Sequence, residues 1–119
     1  MGKANILVVD DQPANLVAIE KTLAPLQENV YTAQSANEAL KLLLERDYAL
    51  ILTDVRMPGM DGFALAEMVK KNRRYENVPI LSVTAAAHAT ADVVRGYQAG
   101  AIDYIFSPWD PGILRAKVD

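Results

Sequence analysis

The sequence predicts an α/β fold in which a parallel five-stranded sheet lies between two layers of helices. Two observations favour this fold. Short apolar runs typical of buried strands alternate with stretches in which apolar residues recur at helical spacing. Five such β/α pairs fill the 119 residues without a gap long enough for a linker. The simplest architecture for that order is a single three-layer (βα)5 sandwich.

The predicted strands are the most apolar segments of the chain. The first, Ile-Leu-Val-Val at 6–9, is continuously apolar, as expected for a strand that helices cover on both faces. The fourth has Pro79 near its beginning, where a missing N–H is tolerated. The five strands are predicted at 6–9, 30–33, 49–53, 78–83 and 101–106.

A predicted helix follows each strand. The first begins just after Pro13, which is tolerated in a first turn, and the second begins at Ser35, which forms a capping-box pattern with Glu38. Apolar residues at helical spacing mark the first three helices, at Leu16, Ile19, Leu23 and Leu26, at Ala36, Ala39, Leu40, Leu43 and Leu44, and at Phe63, Leu65, Met68 and Val69. The last two helices are predicted at 88–98 and 110–118.

The composition argues against several kinds of partner and site. A net charge of −3 disfavours a nucleic-acid or membrane surface, since proteins that bind those surfaces are strongly basic there. A chain without cysteine has neither a disulfide nor a thiolate metal site. Apolar stretches fall short of the ~20 residues of a membrane span, and residues 1–5 lack a signal-peptide core, so we expect a cytoplasmic location. Because the chain stops near the end of the fifth helix, residues 1–119 are expected to be one domain of a longer protein.

Carboxylates follow two of the predicted strands. Asp10 and Asp11 come directly after the first strand, and Asp54 comes directly after the third. If these strands are parallel neighbours, the three side chains converge at one edge of the sheet, where ligands of open α/β sheets bind. Two carboxylates about 4 Å apart repel by roughly 4 kcal/mol at an effective dielectric near 20. An all-oxygen acidic pocket suits Mg²⁺, which keeps some of its waters for a phosphate. The pattern therefore predicts a site for phosphate chemistry on or near an aspartate.

Four motifs in this order resemble a response-regulator receiver domain of two-component signalling. They are the Asp10-Asp11 pair, the segment Thr-Asp-Val-Arg-Met-Pro-Gly-Met-Asp-Gly at 53–62, Val-Thr-Ala at 83–85, and Gly-Ala-Ile-Asp-Tyr at 100–104. The resemblance extends over nearly the whole chain. It implies a flavodoxin-like fold with strand order 2-1-3-4-5, an order that the fold's best-known examples share.

The resemblance also implies roles for individual residues. Asp54 corresponds to the phospho-acceptor, a carboxylate nucleophile that forms an aspartyl phosphate. Mg²⁺ would be bound by Asp54 and Asp11 directly, by Asp10 through water and by the backbone carbonyl of Arg56. Whether the Arg56 side chain also leans over the site, or points to solvent, is left open by the sequence.

Two further positions correspond to parts of a switch. Thr84 resembles the hydroxyl residue that hydrogen-bonds the phosphoryl group, and Tyr104 resembles the aromatic residue that turns inward when that hydroxyl moves. The partners implied are a histidine kinase or phosphotransfer protein and a downstream output domain. The output would use the face made by the fourth helix, fifth strand and fifth helix, with a homodimer also compatible. Candidate residues on that face are Arg95, Tyr97, Tyr104 and Trp109.

One position departs from the family pattern. The family has a lysine immediately before the proline that follows the fifth strand, and this chain has Ser107 there. That lysine pairs with the acceptor carboxylate and then with the phosphoryl group, and a charge-assisted hydrogen bond is worth roughly 1.5–3 kcal/mol. We therefore expect phosphorylation to be weakened rather than abolished. We expect the conformational change that follows phosphorylation to be more sensitive than phosphorylation itself to the missing lysine.

Two alternatives follow from the same residues. The first is a degenerate receiver that binds a partner or dimerises independently of phosphorylation, which Ser107 favours and the intact acidic cluster disfavours. The second is a phosphohydrolase with an aspartate nucleophile. That class has Asp-x-Asp after the first strand, whereas here the residue two positions after Asp54 is Arg56. We expect a domain that accepts phosphate and can dephosphorylate itself, and not a stand-alone enzyme.

Overall fold

Five parallel strands form a single sheet in the computed structural model, which describes residues 3–57, 59, 61–85, 94, 98, 103–107 and 111–118. The strands are β1 (Asn5–Val9), β2 (Asn29–Ala33), β3 (Leu50–Asp54), β4 (Ile80–Ala85) and β5 (Asp103–Ser107). Their order in the sheet is β2-β1-β3-β4-β5, which confirms the predicted 2-1-3-4-5 topology. In this order β1 lies between β2 and β3, so the chain reverses its direction of winding beside β1.

Helices follow the strands as predicted. They are α1 (Pro13–Leu23), which continues as a 3₁₀ turn (Ala24–Leu26), α2 (Ala36–Glu45), α3 (Gly62–Lys71) and the C-terminal helix (Pro111–Val118). Of the helix predicted at 88–98, the structure describes only Val94 and Gln98, which are both helical, and the remainder lies outside the described residues. Within the part of the chain that the structure describes, no helix is long and apolar enough to cross a membrane.

Alternate residues of the central strands build two separate apolar cores. Leu7 and Val9 of β1 pack on the α2 and α3 side, whereas Ile6 and Val8 pack on the α1 side. A strand whose successive side chains point to opposite faces can be apolar throughout only if helices cover both faces. The two cores therefore confirm the three-layer sandwich. On the α1 side, Arg115 of the C-terminal helix also donates a hydrogen bond from Nη1 to the carbonyl oxygen of Thr22, at 3.3 Å.

Several predicted boundaries and core positions are wrong in detail. Strands β4 and β5 end two residues and one residue later than predicted, and β3 includes Asp54 as its last residue. Helix α1 ends at Leu23 and continues as the 3₁₀ turn, because Pro25 has no N–H to extend the helical hydrogen bonds. Leu44 and Met68 belong to the predicted stripes but are 59% and 43% exposed. Each stripe is wider than the strip of helix surface that contacts the sheet.

The predicted start of α2 is confirmed, with one change. The N–H of Glu38 donates to Oγ of Ser35 at 3.1 Å, as an N-cap requires. The carboxylate of Glu38 turns back as in a capping box, but it accepts from the N–H of Gln34 at 3.3 Å rather than from Ser35. The cap fixes where α2 begins after β2.

Candidate functional site

Strand register brings the predicted carboxylates together. Val9 of β1 pairs with Thr53 of β3, so the residues that follow them, Asp10 and Asp54, lie side by side at the carboxyl edge of the sheet. Asp11 is the next residue along. One carboxylate oxygen from each of the three aspartates lies within 4.8 Å of the others. The structure therefore confirms the convergence predicted from the sequence.

Asp10 is the most buried of the three, with 2% of its surface exposed. Its Oδ1 accepts from the N–H of Gln12 at 2.9 Å, and its Oδ2 accepts from Nδ2 of Asn15 at 3.2 Å. Burial raises the pKa of Asp10, since desolvation outweighs the two hydrogen bonds that favour its ionised form. Its backbone N–H donates to the carbonyl oxygen of Ala33, which ties the end of β1 to the end of β2.

Asp54 is partly exposed at the end of β3, so an approaching reactant can reach it. Burial raises the pKa of Asp54 to about 6, and the negative charges of Asp10 and Asp11 add to that effect. The N–H of Arg56 donates to Oδ1 of Asp54 at 3.1 Å. This hydrogen bond favours the ionised carboxylate and so lowers the pKa, against the effect of burial. The hydrogen bond thus favours one orientation of the carboxylate, and burial makes it more basic than an ordinary aspartate.

The loop after β3 is held closely against the start of α3. Asp61 caps α3 by accepting from the N–H of Ala64 at 2.9 Å, and the N–H of Gly62 donates to the carbonyl oxygen of Val55 at 3.2 Å. A Cβ atom at Gly62 would overlap the carbonyl oxygen of Asp54 and lie 2.8 Å from Cα of Val55. Only glycine permits this approach without displacing the backbone that carries Asp54.

The remaining predicted site residues are described by their backbone positions. Asp54 pairs with Val83, so Thr84 lies one residue further along the neighbouring strand β4. Tyr104 pairs with Ser82, and Ser107 pairs with Ala85 at the end of β5. Ser107 is therefore at the same edge of the sheet as Asp54 but two strands away, or roughly 10 Å in the direction across the strands. Three residues predicted on the output face, Arg95, Tyr97 and Trp109, lie outside the described residues.

The donor set of the cluster fits a hard divalent cation. All three groups offer oxygen, two of the three side chains are partly exposed, and their spacing allows one ion to contact more than one of them. Mg²⁺ prefers one or two carboxylates together with water, which matches a cluster in which Asp10 is buried and Asp11 and Asp54 are more accessible.

Two residues of the site escaped the sequence prediction. Asn15 is one, because an asparagine in a first helical turn is common and its contact with Asp10 depends on how the chain turns from β1 into α1. Gly62 lies in the quoted motif at 53–62, but its steric role depends on where α3 meets the end of β3. That contact appears only in the folded chain.

Comparison with known proteins assigns the chain to a family. The family model of the response regulator receiver domain matches residues 6–119. The chain is 37% identical to the transcriptional regulatory protein AfsQ1 of Streptomyces coelicolor, over 96% of this chain and 49% of that protein. It is 34% identical to a chemotaxis protein CheY homolog of Campylobacter jejuni, over 96% of this chain and 88% of that protein.

The comparison with solved structures agrees. The receiver domain of the sensor histidine kinase PA1611 of Pseudomonas aeruginosa, solved with a magnesium ion coordinated in its active site cleft, superposes with a TM-score of 0.88. That domain is 28% identical, and the match covers 98% of this chain and 95% of that one. Several of the curated relatives are longer, and this chain spans between a quarter and about half of their length.

Substituting Gly62 by alanine tests the close packing of the loop after β3. We expect Gly62→Ala to lower the free energy of unfolding by about 1–3 kcal/mol, the usual cost of overpacking, measured by urea denaturation. Gly59→Ala is the matched control, because Gly59 has a φ of +74° but open space around a Cβ. Its expected cost is about 1 kcal/mol, from backbone conformation alone. Wild-type stability of Gly62→Ala would contradict the packing argument.

The raised pKa of Asp54 predicts a pH-dependent effect of replacing it. Its folded-state pKa of about 6 exceeds the ordinary value of 3.8, so the folded chain binds this proton more tightly than the unfolded chain. The resulting stabilisation is complete below about pH 4 and is lost as the pH rises through about 6. Above about pH 7, in chelator, Asp54→Asn should therefore be more stable than wild type by roughly 1–2 kcal/mol, a figure reduced for solvent screening.

Urea denaturation of both proteins at several pH values measures this difference. Asp47→Asn provides the control, since it makes the same chemical change away from the carboxyl edge of the sheet. If the difference in free energy of unfolding between Asp54→Asn and wild type stays constant between about pH 4 and 7, burial does not destabilise the ionised form.

Proposed function

The chain belongs to the response regulator receiver domain family, which acts in two-component signal transduction, and on that premise we propose that Asp54 accepts a phosphoryl group in a Mg²⁺-dependent reaction. The donor is a histidine kinase or a phosphotransfer protein. One observation carries the proposal: a partly exposed carboxylate at the end of β3 lies within a cluster of three carboxylates whose oxygens approach within 4.8 Å.

The surroundings of Asp54 suit a nucleophile. With a pKa of about 6, most of the carboxyl group is ionised at pH 7, as attack on phosphorus requires. The Arg56 N–H holds Oδ1 and so orients the group, and we assign the attack to the other oxygen. A new bond forms between that oxygen and phosphorus while the bond from phosphorus to the donor breaks, and the donor leaves with the electron pair of that bond.

A cation at the cluster would complete the site. Asp11 and Asp54 would hold Mg²⁺ directly, Asp10 would act through water, and the backbone carbonyl of Arg56 would be a further ligand. When bound, the ion supplies positive charge that offsets the carboxylates and binds the oxygens of the incoming phosphoryl group. The magnesium ion in the PA1611 receiver domain supports this assignment.

Strands β4 and β5 would transmit the effect of phosphorylation to a partner. Thr84, at the end of β4, is proposed to bind the phosphoryl group, and Tyr104 of β5 to respond to it. The face around β5 and the C-terminal helix would then contact an output domain, a partner protein or a second copy of this chain. The length of several curated relatives supports a place in a longer protein. A cytoplasmic location and the absence of direct nucleic-acid contacts complete the proposal.

Phosphorylation is tested by intact mass after incubation with acetyl phosphate. With Mg²⁺ we expect a mass gain of one phosphoryl group, and in excess chelator we expect at least a tenfold smaller phosphorylated fraction, because repulsion among the carboxylates opposes the incoming anion. Asp54→Asn should show no gain, whereas the control Asp47→Asn should behave as wild type. A gain that persists in Asp54→Asn would remove Asp54 as the acceptor.

Replacing Ser107 by lysine tests the departure from the family pattern. The added ammonium group would stand at the sheet edge shared with Asp54, where a charge-assisted hydrogen bond is worth roughly 1.5–3 kcal/mol. We therefore expect Ser107→Lys to raise the phosphorylated fraction at a fixed early time by about tenfold. The control is Ser107→Ala, which should match wild type. If wild type shows no mass gain and Ser107→Lys does, the chain is a receiver-shaped binding module rather than a phosphorylated switch.

A further inference from the structure

Asp10 receives hydrogen bonds from the first turn of α1. The backbone N–H of Gln12 reaches Oδ1 at 2.9 Å, and the side-chain amide of Asn15 reaches Oδ2 at 3.2 Å. The Gln12 bond comes from the backbone, so any residue other than proline at position 12 could donate it. The Asn15 bond is different, because it depends on an amide donor at one particular place on the helix.

The two bonds together fix the plane of the carboxylate. A carboxylate held by one hydrogen bond can still rotate about its Cβ–Cγ bond, whereas one held at both oxygens cannot. Asp10 is 2% exposed, and one of its carboxylate oxygens lies within 4.8 Å of an oxygen of Asp11 and of Asp54. Asn15 therefore decides where Asp10 presents its oxygens to anything that binds between the three aspartates.

The helix itself does not require an asparagine at position 15. Asn15 lies in the first turn of α1, after Gln12 as N-cap and Pro13 as first residue. Its own N–H bonds to the carbonyl oxygen of Gln12 at 3.0 Å. The N-cap Gln12 makes no side-chain hydrogen bond to the helix, so a side-chain cap does not hold this first turn. The described side-chain hydrogen bond of Asn15 goes to Asp10, which indicates a role at the cluster.

We propose that Asn15 is a positioning residue for divalent-cation binding, because it holds the Asp10 carboxylate in the orientation that the cation and its waters need. The inference rests on the cation site of the proposed function and goes beyond it, since it assigns Asn15 a role through Asp10 rather than as a ligand. Residues that orient metal ligands typically change metal affinity by 10- to 100-fold when replaced.

Isothermal titration calorimetry of the purified chain with MgCl₂ tests the proposal. The variant Asn15→Leu keeps the branched shape of the side chain and removes the donor, and we expect its Kd for Mg²⁺ to rise about 10- to 100-fold. Asn15→Gln keeps an amide on a longer side chain, and part of the lost affinity should return. Thr22→Val is the control on the same helix. Its hydroxyl bonds only to the carbonyl oxygen of Ala18 among the described residues, so its Kd should equal that of wild type.

The outcomes separate the possible roles of Asn15. A purely structural role would lower the stability of the metal-free protein in Asn15→Leu and leave its Kd for Mg²⁺ unchanged, which would overturn the inference. Circular dichroism at the titration temperature confirms that each variant is folded, and Asn15→Gln provides the comparison if Asn15→Leu is not. Failure of wild type to bind Mg²⁺ would instead overturn the proposed cation site, and the inference with it.

Discussion

The register between β1 and β3 is the constraint on which the site depends. Because Val9 pairs with Thr53, Asp10 and Asp54 end their strands side by side, and Asp11 follows within reach of both. At 4–5 Å, two such charges repel by roughly 3–4 kcal/mol at an effective dielectric near 20. The apolar cores on both faces of the sheet hold the register, so the fold stabilises a cluster that the carboxylates would not form by themselves.

Hydrogen-bond donors and bound protons offset part of that repulsion. Peptide N–H groups of Gln12 and Arg56 and the amide of Asn15 each donate to a carboxylate oxygen of the cluster. They stabilise the ionised forms only in part, since burial still raises the pKa of both Asp10 and Asp54. Carboxylates with raised pKa values favour a bound proton or a bound cation, which supports the proposed Mg²⁺ site.

Much of this arrangement could be predicted from sequence because it depends on local pattern. Continuous apolar runs such as 6–9 marked buried strands, and aspartates directly after two of them marked the binding edge. The strand order came from a family resemblance. The position of Asn15 relative to Asp10 could not be predicted, because it depends on the backbone angles of Gln12, where the strand becomes a helix. The need for glycine at 62 arises from a contact with the Asp54 carbonyl that no sequence pattern records.

Ser107 changes how charge is balanced at this edge of the sheet. In the family pattern, a lysine before the last proline shares with the metal ion the task of neutralising the acceptor and its phosphoryl group. Here β5 ends in a serine two strands from Asp54, and a hydroxyl supplies a hydrogen bond but no positive charge. In the proposed site, the cation, the peptide dipoles and a bound proton would then offset the charge of the carboxylates. On that proposal, the geometry of the carboxylates that would hold the cation, including the Asp10 orientation proposed to depend on Asn15, matters more in this chain than where a lysine is present.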